Sequence, residues 1–210
     1  MISVSALRAG ALAVALSAIT PLAAVPASAE PAIGEPAPDF TGIDSNGKTH
    51  TLSALRGKTV VLEWTNDGCP YVRKHYGTSN MQTLQGKAAA DGVVWLSVIS
   101  SGPGLQGHVS GEEANKLTSD RKATPAAVIL DPEGKIGRAY GATATPHMYV
   151  ITPEGKLAYK GAIDDKPTSN ADDVPTAKNY VTAALAAVAA GKPADPSATR
   201  AYGCSVKYIN

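Results

Sequence analysis

The sequence predicts an α/β fold in which helices flank a central mixed sheet. Two nearly continuous apolar runs of strand length, at 58–64 and 93–99, are typical of strands that are buried on both faces. A helix-compatible segment follows each run, and a hairpin and a last helix come later in the chain. Strands that alternate with helices favour parallel pairing, whereas the later hairpin requires an antiparallel end of the sheet.

Residues 39–52 are predicted to form an N-terminal β-hairpin extension of this sheet. Asn46-Gly47 separates two short β-prone runs, and this dipeptide is the strongest short-range signal for a hairpin. After the first buried strand, Cys69-Pro70 opens a helix-compatible segment that reaches Gly77. A Ser-x-x-Gln capping box at 79–82 then predicts the start of a second helix.

Two more helices and a short strand are predicted further along the chain. A second capping box, at 110–113, opens a helix that reaches about residue 122. The short apolar run 128–130 follows as a strand. An alanine-rich helix at 177–190 carries its apolar residues on one face and ends before Gly191.

A hairpin is predicted between these last two elements. Its strands, 148–151 and 156–160, flank the turn 152–155. The segment 131–135 is a near-copy of that turn, and we interpret it as a second turn rather than as an internal repeat, because proline and glycine favour turns at this spacing.

The first 29 residues are predicted to be a secretory signal peptide. A lone Arg8 precedes an apolar stretch that ends in the small residues Ala27-Ser28-Ala29. We expect a single domain over 30–192, followed by a C-terminal tail over 193–210 that carries Cys204. The protein is accordingly predicted to be periplasmic or secreted, with no membrane association after the signal is cleaved.

Charge and cysteine content exclude several classes of function. The chain has 19 Lys and Arg residues against 18 Asp and Glu residues, and they are scattered, which disfavours a nucleic-acid partner. The two cysteines form no Cys-x-x-Cys pair, so neither a metal site nor a cofactor is predicted. In an exported protein two cysteines can form a disulfide.

Cys69 is the candidate nucleophile. It ends a buried strand and opens a helix, where free backbone N–H groups and the helix dipole favour thiolate over thiol. Pro70 suits the first helical position, and Arg73, Lys74 and His75 are expected to add positive charge. Such effects lower a cysteine pKa from about 8.5 to roughly 3.5–7.5. The alternative is an inert core cysteine, since free cysteine is among the most buried residue types.

Three segments resemble the redoxin (AhpC/TSA-type) branch of the thioredoxin superfamily, and more narrowly its peroxiredoxin-like exported proteins. They are GEPAPDFTGIDSNGKTHTLSALRGKTVVLEW, NDGCPYV and AYGATATPHMYVITPEGKLAYKGAIDD, and a Gly-Cys-Ser-Val-Lys tail follows. The resemblance spans about residues 33–208. It implies a thioredoxin-like fold and a redox-active cysteine.

The resemblance also implies a substrate-binding position around Pro146. In a thioredoxin fold this place holds a cis proline that faces the cysteine, with Thr145 and His147 on either side and Pro70 opposite. Without the resemblance, a trans proline in an ordinary turn is the default, because cis bonds make up only about 5–6% of X-Pro bonds.

The sequence departs from both relatives of this superfamily. Val72 stands where thioredoxins carry their second cysteine, so exchange across one helical turn is impossible. Asn66 and Leu62 stand where the peroxiredoxin pattern has Thr or Ser and Pro, so the hydroxyl that activates peroxide is absent at that spacing.

Cys204 is the only internal partner for Cys69. In an extended tail Cys204, Val206 and Tyr208 would share one face, and the Pro/Ala/Ser-rich segment before them is expected to be flexible enough to reach back. We hypothesise a Cys69–Cys204 disulfide that opens and closes. The alternative is a purely structural bond, which could contribute about 5 kcal/mol by closing a long loop.

Glu63, Trp64 and Asn66 are assigned supporting positions beside Cys69. Glu63 interrupts an apolar strand, so it is either a buried carboxylate that carries protons for thiol exchange or a strand-end partner of a lysine. Trp64 is expected to pack in the core.

The leading prediction is an exported thiol-disulfide oxidoreductase that acts on a protein or small-molecule thiol or disulfide and needs an external electron donor. One alternative is a thiol-dependent hydroperoxide reductase, and another is a disulfide-stapled binding domain. A third is a copper-handling factor in which Cys69, His147 and Met148 meet, since soft ligands suit Cu(I).

Overall fold

The computed structural model describes residues 1–2 and 30–209, so the predicted signal peptide lies almost wholly outside the described residues. A seven-stranded mixed sheet forms the centre. Its strands are β1 (Thr41–Asp44), β2 (Thr49–Thr51), β3 (Val60–Trp64), β4 (Val94–Ile99), β5 (Ala127–Leu130), β7 (His147–Ile151) and β8 (Leu157–Gly161). Their spatial order is β2-β1-β5-β4-β3-β7-β8. Two further strands, β6 (Ala144–Thr145) and β9 (Cys204–Ser205), form a separate antiparallel pair.

Among the described residues, five helices surround these sheets. They are α1 (Pro70–Gly77), α2 (Asn80–Ala90), α3 (Gly111–Asp120), α4 (Lys135–Tyr140) and α5 (Tyr180–Ala189), with 3₁₀ turns at Leu52–Leu55 and Ala171–Thr176. Across the part of the chain that the structure describes, no helix has both the length and the apolar character needed to cross a membrane.

Strand pairing confirms the predicted mixed sheet. Strands β3, β4 and β5 are parallel, whereas β7 and β8 are antiparallel to their neighbours. Alternate residues of the central strands face opposite sides, so each face has its own core. Leu62 and Trp64 pack on the side of α4, and Val61 packs with Val72 and Val181 on the side of α1, α2 and α5.

The predicted N-terminal hairpin is confirmed, and it extends the central sheet at one edge. Strand β1 pairs antiparallel with β5, with Ile43 opposite Leu130. Gly42 permits this packing, because a Cβ atom there would lie 2.6 Å from Cγ2 of Ile129 and 3.0 Å from Cδ1 of Ile136. The local turn signal identified the hairpin, but only the tertiary contact with β5 decides where it docks.

One local prediction around the helices was wrong, and one helix was missed. Ser79 precedes α2, but its φ is 60° and its side chain makes no capping bond, because Gln82 donates instead to the carbonyl oxygens of Tyr76 and Arg121. The turn at 131–135 leads directly into α4, a helix that was not predicted. The capping box of Ser110 and Glu113 is confirmed at the start of α3.

The C-terminal tail is packed against the domain along its length, contrary to the expectation of a flexible segment. The tail exchanges backbone hydrogen bonds with the β8 edge, where the N–H of Thr199 donates to the carbonyl of Lys160 at 3.0 Å and the N–H of Lys160 donates to the carbonyl of Ser197 at 3.1 Å. Further along, the N–H of Val206 donates to the carbonyl of Thr143 at 3.2 Å, and the Tyr208 hydroxyl donates to the carbonyl of Ala142 at 2.7 Å.

Substitution of Gly42 by alanine tests the docking of the hairpin. We expect Gly42→Ala to lower the free energy of unfolding by about 1–3 kcal/mol, because the new methyl group overpacks Ile129. Urea unfolding measures this change. The matched control is Gly86→Ala on the exposed face of α2, where nothing lies within 4 Å and alanine should stabilise by up to about 1 kcal/mol. Equal effects of the two changes would contradict the assignment.

Candidate active site

Cys69 is the N-cap residue of α1 and is fully buried. Its extended backbone (φ −85°, ψ 120°) ends the segment after β3, and Pro70 begins the helix. Asn66 fixes the turn between β3 and Cys69. Its side-chain oxygen accepts from the N–H of Gly68 at 2.9 Å, and its carbonyl accepts from the N–H of Cys69 at 3.1 Å. Asn66 therefore supports the turn on which the thiol sits.

The Thr145-Pro146 segment faces Cys69. The peptide bond between these two residues is cis, and the Cys69 thiol donates to the carbonyl oxygen of Thr145 over 3.0 Å. Thr145 is buried and Pro146 separates β6 from β7. The structure thus brings together three of the residues expected at the site from sequence.

The C-terminal tail carries Cys204 to the same place. Strand β9 pairs antiparallel with β6, and this register sets Cys204 opposite Thr145. Gly203 allows the close approach, since its φ is 140° and a Cβ atom there would lie 2.0 Å from the Thr145 carbonyl oxygen. Both cysteines are free thiols in the structure, so their disulfide stays a prediction.

The two thiols have opposite protonation tendencies. Burial raises the pKa of Cys69, but hydrogen bonds from the Cys204 thiol, the Thr145 side chain and the backbone N–H of Val72 outweigh burial and lower the pKa below its usual value. For Cys204, burial, the hydrogen bond to Cys69 and the negative charge on Cys69 raise the pKa to about 11. Cys69 is therefore the more acidic thiol of the pair, and Cys204 is the thiol that keeps its proton more readily.

The basic side chains at the start of α1 do not supply the positive charge expected beside Cys69. Arg73 is exposed and donates to the carbonyl of Asp67 at 2.8 Å, and the Nζ of Lys74 donates to the carbonyl of Lys166 at 2.9 Å. Burial lowers the pKa of His75 to about 4, so this side chain is neutral at pH 7. The expectation that these residues add charge at Cys69 is corrected, because Arg73 and Lys74 bond to other carbonyl oxygens and His75 is neutral.

Glu63 is fully buried at the centre of a hydrogen-bond network. Its carboxylate accepts from the Tyr76 hydroxyl at 2.8 Å, the Trp95 indole at 2.8 Å, the Ser97 hydroxyl at 3.0 Å and the Gln85 amide at 3.3 Å. Burial raises its pKa. No lysine pairs with it among the described residues, so the strand-end alternative is wrong. The network joins β3 to α1 through Tyr76, and Cys69 is not one of these partners.

His147 and Trp64 hold structural positions near the site. The ring of His147 packs on Tyr149 with centroids 4.6 Å apart, and its Nδ1 accepts from the N–H of Thr143 at 3.3 Å. Burial lowers the pKa of His147 to about 4. The indole N–H of Trp64, in the core as expected, donates to the Ser100 hydroxyl at 3.0 Å.

The arrangement around β7 does not support the copper alternative. His147 and Met148 are adjacent in the strand and face opposite sides, with Met148 in the same core as Cys69 and His147 on the other side beside Tyr149. The described residues contain no cluster of three or more His, Cys, Asp or Glu side chains that could hold a metal ion.

Sequence reasoning did not identify a polar cluster beside the two cysteines. Lys74 and His75 meet Asp164 and the tail residue Tyr202, whose hydroxyl donates to Asp164 at 2.5 Å. The only local signal was the position of Tyr202 two residues before Cys204. The partners are 38 and 127 residues apart along the chain, so no spacing pattern reveals them.

Comparison with known proteins places the chain in a redox superfamily. Residues 33–160 match the family model described as AhpC/TSA family. Among solved structures, a hypothetical protein from Sinorhizobium meliloti 1021 has a TM-score of 0.72 at 21% identity, with 87% of this chain and 97% of that chain covered. An uncharacterized conserved protein from Geobacillus kaustophilus has a TM-score of 0.72 at 22% identity, covering 85% and 93%. These two likenesses show the fold.

A third solved structure carries a name with a stated activity. It is a protein from Chlorobium tepidum named as a thiol:disulfide interchange protein, DsbE, with a TM-score of 0.51 at 25% identity over 62% of this chain and 85% of that chain. No curated protein matches the sequence at a significant level. The family match and this neighbour support an oxidoreductase activity and confirm the thioredoxin-like fold.

Removal of the Cys204 thiol tests how the Cys69 thiolate is stabilised. We expect Cys204→Ala to raise the pKa of Cys69, because a hydrogen-bond donor is lost, and Cys204→Ser to raise it less, because the serine hydroxyl still donates. The rate of alkylation of Cys69 by iodoacetamide, followed by mass spectrometry across pH, reports this pKa. An unchanged pKa in Cys204→Ala would refute the assigned role of the Cys204 thiol.

The buried histidines predict a loss of stability in acid. For His75 and His147 the folded-state pKa of about 4 lies below the ordinary value of 6.5, so their contribution is complete above pH 6.5 and is lost as pH falls toward 4. Each should contribute up to about 3 kcal/mol to this loss. Urea unfolding between pH 7 and 4 should show a smaller loss for His147→Asn, which keeps an acceptor near Nδ1. The same change at the exposed His108 is the control, and an equal loss in both variants would contradict the prediction.

Proposed function

The chain belongs to the AhpC/TSA family, and on that premise we propose that it is an exported thiol-disulfide oxidoreductase in which Cys69 is the nucleophile and Cys204 the resolving thiol. The observation that carries the proposal is the pairing of a thiol of lowered pKa with one of raised pKa across the β6–β9 contact. Thiolate is the form that attacks disulfides, so the pair assigns the first attack to Cys69.

The reaction has two exchange steps. The Cys69 thiolate attacks one sulfur of a substrate disulfide, which forms a mixed disulfide and releases the other sulfur as a thiolate that takes up a proton. Cys204 then loses its proton to solvent and attacks the Cys69 sulfur, which releases the second substrate thiol. The substrate gains two electrons and the cysteines become a disulfide. An external dithiol donor returns both electrons.

The order of these steps follows from the pKa of Cys204. Burial is the largest cause of its raised pKa, and the hydrogen bond to Cys69 and the charge of Cys69 are the next two. Once Cys69 is in a mixed disulfide it carries no negative charge, so the second and third causes disappear. The pKa of Cys204 then falls, and the resolving thiol becomes reactive only after the substrate is bound covalently.

The position of the Thr145-Pro146 backbone supports a substrate-binding role for this segment. The Thr145 carbonyl lies 3.0 Å from the Cys69 sulfur, so a disulfide that reaches Cys69 must pass along this backbone and along Pro70 at the start of α1. Glu63 and Asn66 support the site through the contacts of Tyr76 and of the turn before Cys69. His147, which follows Pro146 in the chain, supports the segment through its packing on Tyr149.

The proposal also includes export from the cytoplasm and a class of substrate. The predicted signal peptide supports delivery to the periplasm or the exterior, where disulfide substrates occur. The thiol:disulfide interchange name of the Chlorobium tepidum neighbour supports protein thiols and disulfides as the substrate class.

A hydroperoxide is the second candidate substrate. Cys69 is fully buried, and a small oxidant needs less opening of the site than a protein disulfide does. In that reaction the Cys69 thiolate takes the terminal oxygen of the peroxide, which yields a sulfenate and an alcohol or water, and Cys204 condenses with the sulfenate to release water and form the same disulfide.

Cysteine variants test the function. With dithiothreitol as donor, we expect Cys69→Ser to lower the rate of insulin-disulfide reduction by about two orders of magnitude or more, because the nucleophile is lost. In a single turnover without dithiothreitol, reduced Cys204→Ser should accumulate a mixed disulfide on Cys69 that mass spectrometry detects, because the first step proceeds and the second cannot. A parallel assay with hydrogen peroxide distinguishes the two substrate classes. Unchanged rates in both variants with both substrates would rule out the proposal.

A further inference from the structure

A buried ionic cluster joins the helix that carries Cys69 to the tail that carries Cys204. Asp164 lies 3.9 Å from the Nζ of Lys74 and 3.9 Å from the Nε2 of His75, both residues of α1. The hydroxyl of Tyr202, a tail residue, donates to Asp164 at 2.5 Å and lies 3.2 Å from the Nε2 of His75. Lys74, His75 and Asp164 are at most 3% exposed.

Tyr202 covers this cluster. Its ring centroid lies 5.6 Å from the Nζ of Lys74, and the ring of Tyr71 packs edge-on against it with centroids 5.8 Å apart. Gly203 alone separates Tyr202 from Cys204. A displacement of the Tyr202 ring therefore moves the resolving cysteine and uncovers the helix that carries the nucleophile.

The charges beneath Tyr202 act on the closed position of the tail in two opposite ways. A hydrogen bond from a hydroxyl to a buried carboxylate is charge-assisted and strong, so it holds the tail down. Burial of Lys74 and Asp164 costs solvation, and water would return to both groups if the tail lifted. Because the two effects oppose each other, the tail can open locally without unfolding of the domain.

Contacts on both sides confine this movement to the middle of the tail. Before Tyr202, the Thr199 hydroxyl accepts from the N–H of Ala162 at 2.9 Å. Beyond Cys204, the carbonyl of Lys207 accepts from the N–H of Gly102 at 2.9 Å, and Arg138 stacks over Tyr208 at 4.6 Å. The tail segment 200–206 is thus tethered at both ends, and within it the β6–β9 pairing and the hydrogen bond from the Val206 N–H to the Thr143 carbonyl must break when the tail lifts.

We propose that Tyr202 is a latch: a positioning residue that holds Cys204 on Cys69 through Asp164 and must be released before a protein disulfide can reach Cys69. The inference rests on the proposed function, because it concerns access to the same thiol. Cys69 is 0% exposed with the tail in place, so exchange with a protein substrate requires such an opening.

Alkylation of Cys69 tests the latch in a Cys204→Ser background, in which only one thiol reacts. Tyr202→Phe removes the hydroxyl but keeps the ring over Lys74 and against Tyr71. We expect it to raise the plateau rate of Cys69 alkylation, measured above the pKa of the thiol, by about tenfold or more, because the hydrogen bond lost was made to a charged group. The urea midpoint should stay close to that of the parent.

Tyr208→Phe is the matched control, since it removes another tail hydroxyl, on the far side of Cys204, that bonds to the Ala142 carbonyl. It should leave the alkylation rate near that of the parent. Equal acceleration in both variants would mean that the whole tail detaches, and no acceleration in Tyr202→Phe would mean that access does not depend on this hydroxyl. Either result overturns the latch.

This experiment is independent of turnover. If the cysteine variants reduce disulfides and peroxide as fast as the parent while Tyr202→Phe still accelerates alkylation, the latch stands and the proposed function fails. If turnover depends on both cysteines but the alkylation rate is unchanged, the function stands and the latch fails. If both the latch and the proposed function hold, Tyr202→Phe in the protein with both cysteines should also lower the apparent KM for insulin more than it changes kcat.

Discussion

The short antiparallel pairing of Thr145 with Cys204 is the contact on which the site depends. Val72 occupies the position one helical turn after Cys69, so helix α1 supplies no second thiol. A partner must therefore arrive from another part of the chain, and the β6–β9 pairing delivers it next to the Thr145 carbonyl that the Cys69 thiol contacts. Gly203 is required there, because any larger residue would collide with that carbonyl.

This pairing also explains the electrostatics of the two thiols. Cys69 is buried, which by itself would disfavour a thiolate, and the helix start alone does not supply the whole compensation. Much of the stabilisation comes from donors that the tail and the β6 segment bring. The neighbouring cations of α1 serve a different purpose, because Lys74 and His75 turn toward Asp164 and the tail residue Tyr202. The reactivity of Cys69 and the closed position of the tail therefore depend on the same set of contacts.

Local patterns predicted most of the secondary structure. The apolar runs became β3 and β4, the Asn46-Gly47 turn became the β1–β2 hairpin, and Ser110 caps α3 as expected. The capping box at Ser79 failed because tertiary contacts override the local signal: Gln82 bonds to Tyr76 and Arg121 rather than to the start of its own helix. The edge at which the hairpin joins the sheet is likewise decided by a tertiary contact, its pairing with β5.

By itself the sequence determined the fold class, the family and the placement of Cys69 at a strand-to-helix junction, because these depend on periodicity and on residues that are close along the chain. Only the tertiary structure decided that the tail is packed, that Cys204 lies beside Cys69, and that Glu63 is hydrogen-bonded within the core. It alone revealed the cluster of Lys74, Asp164 and Tyr202. These groups are distant in sequence, and their contacts follow from how the strands, helices and tail close on one another.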